Sequence, residues 1–321
     1  MSIFTVEVVP IHLEPHENAD SLSVVKIRGY SVCVRTADWT EGQLGAYIPP
    51  DSVVPDTEQF SFLDGHRHIK VKRLRGVFSM GMLIPAPIGA QVGDNVAELL
   101  NIIHYEPPLP AETGGEAEKP PQGYKPSYDV ESFYRFESVL QPGEEIVATE
   151  KIHGASGRWA FQDGRFWVGS KGEWKRESSG NIWWRVLNEN TSLQDFLQAN
   201  ENFTIYGEVY GSVQNLKYGH ANGSIALAVF DIWNENVTEW IDYDDARSMI
   251  VPFVDAWVPE VYRGPFDAEL LKELSDGPSL ISGANHIREG IVVKPLHERF
   301  DNAIGGRVQV KLVGRKYLEK S

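Results

Sequence analysis

The stretch EIVATEKIHGAS, Glu145 to Ser156, alternates apolar and polar residues as a strand does and then breaks at Lys151-Ile152-His153-Gly154. A lysine stands where an apolar residue should close the strand, and a glycine follows three residues later. The chain contains the K-x-x-G pattern three times, beginning at Lys26, Lys151 and Lys311. Taken singly, each lysine is a solvated strand end and each glycine a turn residue. A lysine that acts as a nucleophile must lose its proton near neutral pH, which requires a neighbouring cation or desolvation. It also needs acids to hold metal ions and a sugar, and further cations to meet phosphate charge. Lys26 has no such series after it in its own unit, and Lys311 stands ten residues from the last residue. Lys151 is followed by Glu208 in YGEVYG, Phe230 in AVFDIW, Glu289 in REGIVVKP and Lys311 in VQVKLVG.

Composition sets the frame for these motifs. The sequence of 321 residues is 42% apolar and 11% aromatic, enough for a sizeable core and long enough to favour two domains. The single cysteine, Cys33, allows neither an internal disulfide nor a Cys-ligated zinc site, which points to a reducing, cytoplasmic setting. The opening MSIFTVEVVP lacks the basic and apolar regions of a signal peptide, and no apolar run is long enough to span a bilayer. A formal net charge of −15 argues against a protein that coats nucleic acid indiscriminately. The charge is uneven, however. His66 to Gly76, HRHIKVKRLRG, holds five basic residues (Arg67, Lys70, Lys72, Arg73 and Arg75) and no acid. Arg307 to Ser321 holds five against one Glu.

Residues 1–105 read as short alternating runs punctuated by Gly, Pro and Asp, which predicts a small β-barrel. Residues 106–127 are rich in Pro, Gly and Glu and read as an extended linker. From residue 128 to 321 the pattern becomes mixed α and β. Strands are expected at EEIVATEK, FTIYGEVYG, IALAVFDIW, EGIVVKP and VQVKLVG, with a hairpin turning at Asp163-Gly164. Helices are expected at NIWWRVLNEN, at SLQDFLQAN with Thr191 or Ser192 as its cap, and at FDAELLKELSDG.

In order and context, EKIHG, YGEVYG, FDIW, EGIVVKP and KLVGRKYLEK resemble the successive motifs of the covalent nucleotidyltransferase superfamily, the ATP-dependent ligases and messenger-RNA capping enzymes. EKIHG is close to the RNA ligase wording. DNA ligases more often place an aspartate before this glycine and an arginine two residues after it, where this chain has Ser156. HENADSLSVVKIRGY together with KVKRLRGVFSMGMLIP resembles the OB-type domain that precedes the ligase domain in the Deinococcus- and Naegleria-type RNA ligases. The resemblance implies an α+β protein: an N-terminal OB-type β-barrel, then an ATP-grasp-like nucleotidyltransferase domain built on antiparallel sheets.

It also implies roles. Lys151 would attack the α-phosphorus of ATP and carry AMP covalently, with Mg2+ or Mn2+ as the metal. Glu150 and Gly154, in the same motif, would also lie against the nucleotide. Glu208 would contact the ribose and is the lesser choice for a metal ligand, while Glu289 would hold the metal through water. Phe230 would stack on adenine, although a Phe in ALAVFDIW reads equally well as core. Lys171, after the hairpin, matches a basic residue that contacts the nucleotide or the RNA end, against a plain solvated lysine. Lys311 would bind the α-phosphate. Many relatives have two lysines one residue apart there, whereas Gln309 and Val313 flank Lys311 here, so Lys294 is the alternative second cation. His153 shapes the turn or touches the RNA end.

The implied reaction seals a 3′-OH to a 5′-phosphate in RNA, at nicks in repair, by a monomer. Arg67, Lys70, Lys72, Arg73 and Arg75 are the candidate nucleic-acid contacts. A DNA ligase, a GTP-using capping guanylyltransferase and an inactive nucleic-acid-binding module remain the alternatives at this stage.

Overall fold

The computed structural model describes residues 4–105 and 115–320, so the first part of the expected linker, residues 106–114, lies outside the described residues. Two compact units emerge. One holds residues 4–105, 133–135 and 315–320, and the other holds 115–132 and 136–314.

The N-terminal unit wraps short antiparallel sheets around apolar side chains. Its central strand, Leu44–Ile48, pairs with Glu7–Pro10 on one side and Met82–Pro85 on the other. Leu22–Ile27 and Tyr30–Arg35 form a hairpin whose turn residue Arg28 has φ 53. Val6, Val8, Ala46, Ile48 and Ile84 pack with Phe60 and Ile69 in one cluster, while Ile11, Val25, Val32 and Leu83 belong to a second. The helix Arg315–Lys320 belongs to this unit although it closes the chain.

The larger unit is built from two sheets. Its main strands are β1 (Glu145–Lys151), β2 (Ala155–Gln162), β3 (Arg165–Ser170), β4 (Phe203–Gly211), β5 (Ile225–Asn234), β6 (Glu260–Pro265), β7 (Gly290–Pro295) and β8 (Val310–Val313). In the first sheet β3, β2, β4 and β5 lie side by side in that order, and in the second β8, β7, β1 and β6 do. Their pairings are antiparallel. The edge pair Glu131–Ser132 runs parallel to β8.

Helices α1 (Ile182–Asn188), α2 (Thr191–Ala199) and α3 (Tyr243–Ile250) cover one face of the first sheet. Because side chains alternate along a strand, Ile205 and Val209 of β4 join that helix-covered core with Trp159, Trp183 and Phe196. Tyr206, Glu208 and Tyr210 therefore point the other way. On β5 the alternation is broken. Tyr206 pairs with Asp231 but Gly207 pairs with Val229, so Phe230 is an extra residue without a partner on β4. Val229 and Ile232 both join the helix-side core, which leaves the consecutive Phe230 and Asp231 on the opposite face. A bulge is the ordinary way to re-aim a side chain beside a site.

The hairpin turn falls at Asp163-Gly164, both with positive φ of 54 and 73. The cap of α2 is Asn190 rather than Thr191 or Ser192, because its carboxamide accepts the Leu193 N–H at 3.0 Å. Asn181 caps α1 by accepting from Trp183 and Trp184, and Asp267 caps the helix Ala268–Leu274. Helix α3 was not expected, although Tyr243, Ala246 and Ile250 bury one face at helical spacing behind Asp244 and Asp245.

Residues 115–127 carry a strand pair, Ala117–Glu118 on Trp174–Lys175, and a buried lysine. Lys125, its side chain 2% exposed, donates to Gln122 O (2.9 Å), Gln162 Oε1 (3.0 Å) and Glu235 Oε2 (2.7 Å). Lys125→Met removes the cation and leaves the Glu235 carboxylate uncompensated. We expect a loss of about 3 kcal/mol in urea unfolding, and an unchanged midpoint would show that this segment does not help hold the larger unit together.

Candidate functional site

Strand β1 ends on Lys151, which pairs in register with Gly290 at the start of β7. Glu289 therefore arrives beside it. Lys151 Nζ donates to Glu289 Oε1 at 2.6 Å, and His153 Nδ1 meets Glu289 Oε2 at 3.1 Å. The His153 N–H donates to the buried Tyr218 hydroxyl at 2.7 Å, which fixes the turn after the lysine. Gly154 is required by space. A Cβ there would lie 2.1 Å from Val209 O and 3.0 Å from Glu208 Cγ.

Of these residues, Lys151 and Glu208 line a cavity of about 200 Å³ between the two sheets. Glu208 and Phe230 line it from the first sheet, and Lys151, Val292 and Lys311 from the second. Phe230 is half-buried, its ring 4.4 Å from that of Tyr128, so it is a cavity wall rather than a closed core residue. Lys171 lines the mouth, 51% exposed, and pairs with Asp129 at 3.0 Å.

The electrostatics are those of a charged, largely buried pocket. Burial pushes the Glu289 carboxyl up, but the Lys151 ammonium and His153 more than reverse this and hold it near 2. Burial and the Glu289 charge push Glu208 up to about 8 against the pull of Lys151. Burial lowers Lys311, and the nearby Lys151 lowers it further, against Asp129 and Glu289.

Two residues expected at the nucleotide have other duties. Glu150 lines the cavity, but its buried carboxylate accepts from Ser279 Oγ and Leu280 N, both at 2.6 Å, and so fixes that loop. Lys294 also lines the cavity, with a side chain only 5% exposed. Its ammonium pairs with Asp231 and lies 3.6 Å from Glu298, while Arg307 closes the cluster at 2.9 Å from Asp231. Its charge is thus paired with a buried acid on the cavity wall. Sequence reasoning missed Tyr128, Asp129, Tyr218 and this Asp231 cluster. Tyr128 and Asp129 follow a Pro-rich stretch that offers no periodic signal.

Arg67, Lys70, Lys72, Arg73 and Arg75 all lie exposed in the N-terminal unit, with Ile69 and Val71 buried between them. Arg73 lies 3.4 Å from Glu319 and 4.5 Å above the Phe78 ring. The residues lining the cavity all belong to the larger unit. Among the described residues no helix is long and apolar enough to cross a membrane.

Comparison with known proteins follows this geometry. The RNA ligase family model matches residues 144–313, and an OB-fold domain model matches residues 3–86. No curated protein sequence matches significantly. Among solved structures, Naegleria gruberi RNA ligase with PPi is 24% identical with a TM-score of 0.83, covering 99% of each chain. Two variants of that ligase, one with ATP and Mn and one with AMP and Mn, are 23% and 22% identical, each with a TM-score of 0.83 over 98% of each chain. At this identity the likeness establishes the shared fold.

The raised Glu208 carboxyl makes stability depend on pH with a definite sign. Between the ordinary 4.5 and about 8 the unfolded chain has lost this proton while the folded chain keeps it, so folding weakens as pH rises through that window. In metal-free protein, Glu208→Gln should gain thermal midpoint relative to wild type on going from pH 4 to pH 9. A difference that stays constant across that range would contradict the assignment.

Proposed function

The chain belongs to the RNA ligase family, and from that premise we propose that it is an ATP-dependent RNA ligase working through a lysyl–AMP intermediate on Lys151. The observation that carries this reading is the Lys151–Glu289 pair at 2.6 Å, opening on a cavity that also holds Glu208, Phe230 and Lys311. The Naegleria structures with ATP, AMP and PPi support it by the ligands they bind.

Three in-line phosphoryl transfers share the pocket. In the first, the neutral Lys151 amine attacks the α-phosphorus of ATP. A P–N bond forms, the bond to the bridging oxygen breaks and pyrophosphate leaves. Lys311, buried beside Lys151, opposes a second positive charge there, and Lys151 must give up its proton before attack. In the second, a 5′-phosphate oxygen of the RNA displaces Lys151 from the adenylyl phosphorus. In the third, a 3′-hydroxyl attacks the 5′-phosphorus and expels AMP. The protein's work is placement and charge. Phe230 stacks on adenine, with Val292 on the opposing strand. Glu208 takes the ribose, and Lys311 with Lys171 meets phosphate.

Glu208 lines the cavity and Glu289 meets it through its pair with the lining Lys151, and among the described residues no group of three acids, histidines or cysteines forms a closed metal site. That donor set fits Mg2+ or Mn2+ held largely through its own water, by Glu289 first and Glu208 second. When bound, the ion neutralises charge on the phosphates. The substrate is RNA with a 3′-OH and a 5′-phosphate, met at nicks by a monomer in the cytoplasm. The exposed basic run from Arg67 to Arg75 contacts its phosphates.

Transfer of label from α-labelled ATP to the purified protein tests this directly. Acid-labile label, competed by ATP but not GTP and absent from Lys151→Met, is the expected result. No label on protein first stripped of AMP with pyrophosphate would sink the enzyme reading. Replacing the 3′-terminal ribose with deoxyribose should slow sealing, and equal sealing of DNA ends would favour a DNA ligase.

A further inference from the structure

In the N-terminal unit, Ser52–Val53 lies between Ile103–His104 and His68–Ile69 in a three-stranded antiparallel sheet. The register aligns Ile103, Val53 and His68 on one face and His104, Ser52 and Ile69 on the other. Ser52 and Ile69 are buried, so the first row faces outward, and Ile103 is 62% exposed. The ladder continues through the Tyr105 N–H, which donates to Asp51 O at 2.6 Å. Tyr105, two residues past Ile103, returns to the outer face and stacks on His68 with ring centroids 3.9 Å apart and planes at 23°. Asp51 Oδ1 meets His68 Nε2 at 3.2 Å and steadies the imidazole against the phenol ring. Along the same run His68, Lys70 and Lys72 alternate outward while Ile69 and Val71 are buried. Arg67 is exposed beside them.

The chemistry at Lys151 does not use these residues. A steadied aromatic stack beside a row of cations, on a chain of net charge −15, is complementary to a polyanion that carries flat rings. The geometry points to a binding face for single-stranded RNA here, with an unpaired base continuing the Tyr105–His68 stack and phosphates running along Lys70 and Lys72. Stacking takes any base but needs it unpaired, so the face takes an unpaired stretch of the RNA, such as one flanking a nick, in preference to uninterrupted duplex. The identity of the polyanion rests on the RNA ligase reading above.

The test is fluorescence anisotropy of a labelled oligouridylate in EDTA, which allows no adenylyl transfer. Tyr105→Ala and Tyr105→Leu should each weaken binding about tenfold, and Tyr105→Phe, which keeps the ring, should stay within about twofold of wild type. Lys70→Glu with Lys72→Glu should weaken binding and flatten its dependence on salt, whereas Tyr105→Leu should leave that slope unchanged. Folding is checked by melting curves, and Tyr105→Leu carries the test if the alanine variant fails to fold. Wild-type affinity in Tyr105→Leu, or equal competition by a blunt RNA duplex, overturns the inference. Label uptake from ATP by the wild type decides the ligase reading separately. A protein that takes up label yet binds RNA equally well without the Tyr105 ring refutes this face alone.

Discussion

The Lys151–Glu289 ion pair is the contact around which the larger unit is arranged. Neither charge is tolerable in a poorly hydrated cleft without the other, and the register of β1 against β7 brings them together with no freedom to slide. A shift of one residue would turn every side chain of a strand to the opposite face. Much else follows from holding that pair in place. Gly154 lets the chain turn against β4, Tyr218 pins the His153 backbone, and His153 occupies the second oxygen of Glu289.

Under the base-sized wall of the cavity the same logic appears without catalysis. The bulge on β5 places Phe230 and Asp231 on one face, one facing the cavity and one beneath it. Asp231 is fully buried and is held ionised, against burial, by Arg307 and Lys294. The cluster therefore fixes the Phe230 backbone from below. It also ties Lys294, a lysine on the cavity wall, to a buried acid.

Much of this was legible in the sequence because it lies in regular strands. The alternation in EIVATEK, FTIYGEVYG and EGIVVKP gave both the strands and the strand-end charges, and the order of motifs singled out Lys151 among three equivalent patterns. What was not legible depends on register and on contacts between distant segments. Nothing in KPSYDVES marks Tyr128 and Asp129 as cavity residues, since they reach it by a Pro-rich route. The Lys294–Asp231 pair spans 63 residues, and its partner Arg307 lies in a stretch with no periodicity. Glu150 sits beside the nucleophile in sequence yet serves the loop at Ser279, because neighbours on a strand point to opposite sides.

The two carboxylates of the cavity show how one site can hold opposite protonation states. Glu289 is ionised because Lys151 and His153 each meet one of its oxygens, and Glu208 resists ionisation because it is buried and lies in the field of that charge with less compensation. Pairs of acids driven apart in this way mark sites where charge is handled rather than merely buried. Any positive charge brought close lowers the cost of ionising Glu208, so cation uptake and proton release are linked at that position. Glu289, already ionised, needs no such event and holds Lys151 in place before the first step. The unequal environments thus divide the work: the ionised Glu289 offers its charge to Lys151 and to an incoming cation without a proton being lost, whereas Glu208 must first give one up.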